Sequence, residues 1–241
     1  MGSDGDDRLG GVDFDTSVAH LLTQQHSSVL ENLAGYNNDH DMAEILASSC
    51  DRITDDLPLC TVSSFHTLGE KVKISLSQQQ QQEMEETRGG EESIVARTKC
   101  LALPPFTAET KSSSSSSSSL SLVESLCDSL YIETLEVTLE EFDNLCQPLF
   151  DRSVIPATRL IDELTLQREE IDEIVMVGGT TRMPQIRELV RQAFPNAQLN
   201  THIDPDITVV RIYNAILCNA MQCNISGMQY NSTIVEGIVL A

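Results

Sequence analysis

Apolar residues recur at helical spacing through the first third of the chain. From Asp13 onward Val18, Leu21, Leu22, Val29 and Leu33 share one face, and Gly35 stands where it could end that helix. Met42, Ile45, Leu46 and Ile53 repeat the period and predict a second helix from Asp41 to about Leu57. A third is expected from about Leu68 into a run of glutamines. Ser93 to Leu103 reads as one strand, and the apolar positions between Leu120 and Val137 predict a strand pair. Thr138-Leu139-Glu140-Glu141 is a capping box, in which the threonine hydroxyl and the glutamate carboxylate each satisfy the other residue's backbone N–H. The helix it opens should carry Phe142, Leu145 and Leu149 inward, followed by another helix through Val154, Ile155, Ile161 and Leu164. Paired Glu140 and Glu141 read as a solvated helix face.

The pattern then changes. Ile174-Val175-Met176-Val177 is a short apolar run with two β-branched residues, closed by Gly178-Gly179, and reads as a buried strand. Thr180 and Thr181 offer N-cap hydroxyls to a helix with Ile186, Leu189, Val190 and Ala193 on one face and Arg187, Glu188, Arg191 and Gln192 opposite. Strand, glycine turn and helix in that order bring backbone close to a ligand and aim a helix N-terminus at it. Arg182, placed in the first turn of that helix, opposes the helix dipole, and a planar or anionic ligand is the natural reason for it. Val209, Ile212, Tyr213, Ile216, Leu217 and Ala220 predict a last helix, and residues 235–241 form an apolar tail.

Composition adjusts this picture in a few places. Gln78 to Glu92 and Ser112 to Ser119 are low-complexity polar tracts that bury too little apolar surface to fold by themselves. With 241 residues and 40% of them apolar, the rest has enough material for a core. A formal net charge of −22 argues against nucleic acid or an anionic membrane as partner, since either would call for a basic patch. The seven cysteines are odd in number and include no C-x-x-C pair. They read as free thiols in a reducing compartment. The histidines have no ligand spacing with them, so no metal site is expected. The first residues show no charged-then-apolar leader, and no apolar run reaches the ~20 residues of a membrane span. The expected location is the cytoplasm, and the sequons at Asn224 and Asn231 read as chance matches.

V-G-G-T-T-R-M-P at residues 177–184 closely resembles the V-G-G-[ST]-x-R-[IM]-P signature of the seventy-kilodalton heat-shock protein (DnaK-type) chaperones. Further segments agree in order: Gly5-Asp6 through Leu9-Gly10-Gly11-Val12-Asp13-Phe14-Asp15, V-T-L-E-E-F-D-N-L from Val137, and Ile203-Asp204-Pro205-Asp206. The resemblance implies an α/β chain of the actin-like ATPase (ribonuclease H-like) fold, second lobe only, divergent and truncated. Residues 1–12 and 167–234 would form the base of that lobe, 13–166 an inserted α+β subdomain with the polar tracts at 78–92 and 112–119, and 235–241 a linker-like tail.

It also implies an adenosine site. Glu70 and Lys73 fall where the family bonds the ribose hydroxyls, and Ser77 where it bonds the purine. Gly178 and Gly179 bring backbone beside the ligand, Arg182 stacks on the adenine, Met183 makes an apolar contact and Asp206 lies near the purine edge. Gly10 and Gly11 match the turn at the phosphate rim. The implied cofactor is ATP or ADP, with magnesium only where a complete first lobe supplies its ligands, and no catalytic residue falls within this chain. The implied function is an ATP-binding chaperone that assists protein folding, with unfolded clients and nucleotide-exchange co-chaperones as partners. The alternative is a non-catalytic interaction protein that retains the co-chaperone-binding lobe. Three departures point to a weakened site: Ile74 stands where the family has a second stacking arginine, Ile212-Tyr213-Asn214 where small residues are usual, and Val12 where an acid is expected.

Overall fold

The computed structural model describes residues 4–36, 42–86, 93–105 and 119–201. Residues 87–92, 112–118, the helix expected from Val209 and the tail 235–241 lie outside the described residues. By internal contact the chain divides into two compact units, Val12–Cys146 and Met1–Gly11 together with Gln147–Ala241.

The Val12–Cys146 unit opens with α1 (Gly11–Gln25), which buries Phe14, Val18, Ala19 and Leu22, and α2 (Ser27–Tyr36), which buries Val29, Leu33 and Tyr36. The single helix expected here is two. The break falls at His26, whose ring Nδ1 lies 3.0 Å from the Glu133 carboxylate, and Gly35 sits inside α2 rather than beyond it. The next helix, α3 (Met42–Ser49), stops well short of Leu57, because the chain leaves it at Cys50, which is bonded through sulfur to Cys127. The following helix, α4 (Val62–Glu86), is entered through a reciprocal pair: the Ser64 N–H donates to the Thr61 hydroxyl at 3.0 Å and the Thr61 N–H to the Ser64 hydroxyl at 2.9 Å. Phe65, Leu68, Val72 and Leu76 hold its buried face. It runs on through Gln78–Gln82 to Glu86, so this part of the polar tract is helical, as suits glutamine once an apolar stripe has fixed the preceding turns.

Two strands complete the unit. They are β1 (Val95–Ala102) and, after the helix α5 (Ser119–Ser129), β2 (Tyr131–Thr138); they pair antiparallel from Val95↔Thr138 to Ala102↔Tyr131. The strand pair expected between Leu120 and Val137 is therefore one helix and one strand. Val123, Leu126, Cys127 and Leu130 are spaced i, i+3, i+4 and i+7, a helical period, and all four pack into one core cluster with Leu33, Tyr36, Leu46, Cys50, Leu59, Leu101 and Leu103.

The free-thiol reading is overturned for four of the cysteines and holds for Cys146. Cys50 is bonded to Cys127 and Cys60 to Cys100, with Cα separations of 5.7 and 5.2 Å. Cys146 is a buried free thiol, and Cys218 and Cys223 lie outside the described residues. Pairs 77 and 40 residues apart in sequence leave no local spacing from which to read them.

The helix α6 (Leu139–Glu163) is continuous through Pro148 and Pro156 where two helices were expected. Its capping box forms as the sequence dictates: the Glu141 N–H donates to the Thr138 hydroxyl at 3.1 Å and the Thr138 N–H to the Glu141 carboxylate at 2.9 Å. Phe142, Cys146, Phe150, Ala157 and Ile161 are its buried positions, whereas Leu145 and Ile155 are exposed.

In the other unit, Arg152 of α6 donates to the Asp6 carboxylate at 2.7 Å and to the Arg8 carbonyl at 3.1 Å, and Arg159 donates to Asp4. These contacts pin the N-terminal segment to the second half of α6. Farther along come β3 (Glu173–Val175), α7 (Pro184–Ala193) and β4 (Gln198–Asn200), with the two strands parallel and paired Glu173↔Gln198 to Val175↔Asn200. The Met176 N–H adds one more bond to the Asn200 carbonyl at 3.0 Å. Ile174, Met176 and Val177 are buried, as the strand reading requires. Among the described residues no helix is long and apolar enough to cross a membrane.

Candidate functional site

The glycine turn after β3 is built by its own backbone bonds. Gly178 adopts φ 103°, a left-handed conformation open to glycine at little cost, and reverses the chain out of the strand. Thr180–Arg182 then form one 3-10 turn. Thr181 is buried, and its hydroxyl donates to the Gly178 carbonyl at 2.7 Å instead of capping α7. The threonine caps expected from sequence are thus corrected. Met183 is the N-cap of α7 without a side-chain bond, and Pro184 fills the first helical position, where a missing N–H leaves no bond unmade.

Arg182 consequently lies in the 3-10 turn two residues before α7, not in the first turn of the helix, and it is exposed. Arg187 reaches back so that its Nε–H donates to the Thr181 carbonyl at 3.0 Å. Burial first, then the neighbouring guanidiniums of Arg191 and Arg182, pull Arg187 below the ordinary arginine range. Arg182 and Arg187 bring positive charge to the segment that follows the glycines, whereas Arg191 is paired with Glu188 at 3.6 Å. Among the described residues a Cβ added at Gly179 would meet no atom within 4 Å, so none of them fills that side of the turn. Open backbone and a cationic field suit an anionic ligand with a flat face. Met183, expected to touch such a ligand, is 2% exposed and packs inward.

The second set of residues lies on α4, in the other unit. Glu70 is exposed on the outer face. Lys73 Nζ lies 2.6 Å from Asp15 Oδ1 of α1, both side chains being largely buried. Ser77 is 9% exposed and its hydroxyl donates to the Lys73 carbonyl at 2.9 Å, which leaves its lone pairs to accept. Ile74, between them, is 45% exposed and offers an aliphatic surface where a cation was expected. Asp15 is the residue that sequence reasoning missed here. Its only signal was its place in the D-F-D segment at 13–15.

Gly10 lies in the bend before α1 with no atom within 4 Å of an added Cβ, and Gly11 is the first residue of α1. Asp206 and the Ile212-Tyr213-Asn214 segment lie outside the described residues. A separate cavity of about 400 Å³ opens beside Asp6, Arg152 and Arg159, but those arginines are already engaged by aspartates, so it has little to offer an anion.

Comparison with known proteins bears on the turn directly. A model of the Hsp70 protein family matches residues 107–235, more than half of the chain and the part that contains β3, the glycine turn and α7. Among similar proteins, the chaperone protein HscA homolog of Aeromonas hydrophila is 44% identical over 88 residues, 36% of this chain and 14% of its own length. Heat shock 70 kDa protein 13 of Homo sapiens is 40% identical over 75 residues, 31% of this chain and 16% of its own. Heat shock 70 kDa protein 14 of Danio rerio is 26% identical over 148 residues, 61% of this chain and 29% of its own. The chain thus spans less than a third of the length of each of these relatives. Its strand, glycine turn and arginine-bearing helix, together with the family match that runs through them, make this chain a member of the Hsp70 family.

Proposed function

We propose that this chain is an adenine-nucleotide-binding part of a heat-shock-type chaperone, corresponding to the second lobe of the family's actin-like ATPase domain. The observation that carries the reading is the turn from Gly178 to Arg182: left-handed Gly178, Gly179 with none of the described residues against an added Cβ, and an exposed Arg182 guanidinium beside Arg187. Arg182 would lie on the adenine face, with Gly178 and Gly179 presenting backbone to the nucleotide. The ribose and purine roles that the resemblance gives Glu70, Lys73 and Ser77 belong to the other unit, where Lys73 is paired to Asp15. A bound nucleotide supplies the phosphoanhydride chemistry. This chain holds the nucleoside and leaves the phosphates and magnesium to groups that the family carries in its first lobe.

A second reading is a non-catalytic interaction protein that binds nucleotide-exchange co-chaperones through the same lobe. It is favoured by Ile74 in place of an arginine and by the pairing of Lys73 with Asp15, both of which take cationic contacts away from an adenosine. Calorimetric titration of the chain with ADP and with ATP separates the two. Saturable binding, lost on competition with adenosine, supports the nucleotide reading. A flat titration to millimolar nucleotide rejects it in favour of the interaction protein.

A further inference from the structure

Two cystines bracket one short segment of the Val12–Cys146 unit. Cys50 ends α3 and Cys60 precedes α4, and between them Leu59 forms a parallel bridge with Leu101 of β1. The Cys60 N–H donates to the Leu101 carbonyl at 2.8 Å, and the Leu101 N–H to the Pro58 carbonyl at 2.8 Å. The segment from Cys50 to Cys60 is therefore tied covalently to α5 at one end and to β1 at the other, with strand-like backbone pairing beside the second tie.

The two bonds differ in their surroundings. Cys60 is 1% and Cys100 0% exposed, so no thiolate can approach along that S–S axis in the folded chain. In the other bond Cys50 is 3% exposed, and Cys127, near the C-terminal end of α5, is only half-buried, so access is from the Cys127 side. There the Arg52 guanidinium donates to the Cys127 carbonyl at 2.9 Å. That contact is to backbone and not to sulfur, so the difference between the two cystines is one of access.

We infer that the chain carries a graded cystine clamp, in which Cys60–Cys100 is a fixed structural bond and Cys50–Cys127 is a redox-addressable one whose opening releases α5 from the end of α3. In the opening step a small thiolate attacks Cys127 Sγ, the S–S bond breaks and Cys50 leaves as thiolate. A second small thiol then attacks the mixed disulfide and expels Cys127. Two electrons and two protons pass to the protein as two thiols become one external disulfide. Closure is the reverse, with a small or protein disulfide as oxidant. Disulfides of this kind persist where such oxidants outcompete reduced glutathione, so the described fold is that of the oxidised chain and belongs to an oxidising compartment instead of the cytoplasm.

Alkylation with peptide mass mapping tests this on the unmodified chain after equilibration with oxidised and reduced glutathione. Denatured without reductant, Cys50, Cys60, Cys100 and Cys127 should all resist labelling. Under native conditions in millimolar dithiothreitol, Cys50 and Cys127 should label together at least about tenfold faster than Cys60 and Cys100, which should label only when denaturant is added. In the Cys50→Ser/Cys127→Ser variant the melting temperature should fall by on the order of 10 °C, and wild type should fall to the same value once its accessible pair is reduced. Labelling of all four cysteines in the unreduced chain, or opening of Cys60–Cys100 as fast as Cys50–Cys127, would overturn the inference.

Discussion

Lys73 of α4 and Asp15 of α1 face each other at 2.6 Å with 13% and 15% of their side chains exposed, so the ammonium is held by a carboxylate from another helix. A pair this sheltered is costly to break from one side, because the surviving charge keeps its desolvation and loses its counterion. Lys73→Met should therefore destabilise the Val12–Cys146 unit by about 3 kcal/mol in urea unfolding, and the double variant Lys73→Met/Asp15→Leu by clearly less. Equal losses in the single and double variants would show that the two groups do not act as a pair.

Beside that pair, α1 and α4 approach closely at Gly69, where an added Cβ would lie 2.8 Å from the Asp15 carbonyl oxygen, a backbone atom that cannot swing aside. Gly69→Ala should cost about 1–3 kcal/mol despite the better helix propensity of alanine. Gly10→Ala is the control: its Cβ meets nothing within 4 Å and it should unfold close to wild type. A neutral or stabilising Gly69→Ala would mean the helices do not pack this closely.

What could be read from the sequence divides by range. The capping box at Thr138 and Glu141 forms as expected because four consecutive residues contain all of its physics, and the apolar face of α7 is legible from one heptad of period. The glycine turn was recognised, but its detail was not: nothing local says that Thr181 will bond the Gly178 carbonyl and leave Met183 as the cap. The segment of α5 reads as strand when its apolar positions are grouped with those running on to Val137, which hides the i, i+3, i+4, i+7 spacing of Val123 to Leu130. The prolines of α6 suggested a break that its continuous buried face overrides. Pairings across the fold, Cys50 with Cys127 and Lys73 with Asp15, depend on tertiary placement and leave no trace in spacing.

Acid should loosen the N-terminal segment. The hydrogen bond from Arg152, then that from the Arg8 backbone N–H, hold the Asp6 carboxyl below its ordinary value of 3.8, and Arg159 does the same for Asp4. A depressed folded value means that the stabilisation is fully present above the ordinary value and is lost as pH falls through the folded one. The ties of residues 4–8 to α6 should thus persist at neutral pH and open only below about 4. NMR titration of the Asp6 carboxyl should give a low value that returns toward 3.8 in Arg152→Gln. An Asp6 titration unchanged by that substitution would remove the ion pair.

Arg182 should be the strongest single determinant of nucleotide affinity. Ile74 stands where the family has a second stacking arginine, and of Arg182 and Arg187 it is Arg182 that is exposed. A planar cation stacks on a ring face as an ammonium does not, so Arg182→Lys should weaken ADP binding about threefold or more and Arg182→Ala further still. If Arg182 serves only to pair with an acid such as Glu170 or Asp172, lysine would keep most of an exposed bridge worth about 0–1 kcal/mol, and affinity would not move. Gly179→Ala separates fold from ligand: its Cβ meets nothing among the described residues, so thermal stability should be retained while a nucleotide seated against the backbone is displaced. Calorimetry on these three variants, each checked for fold by circular dichroism, should show graded loss at Arg182 and loss at Gly179. Unchanged ADP affinity in all three would remove the nucleotide from this turn and leave the co-chaperone-binding reading in its place.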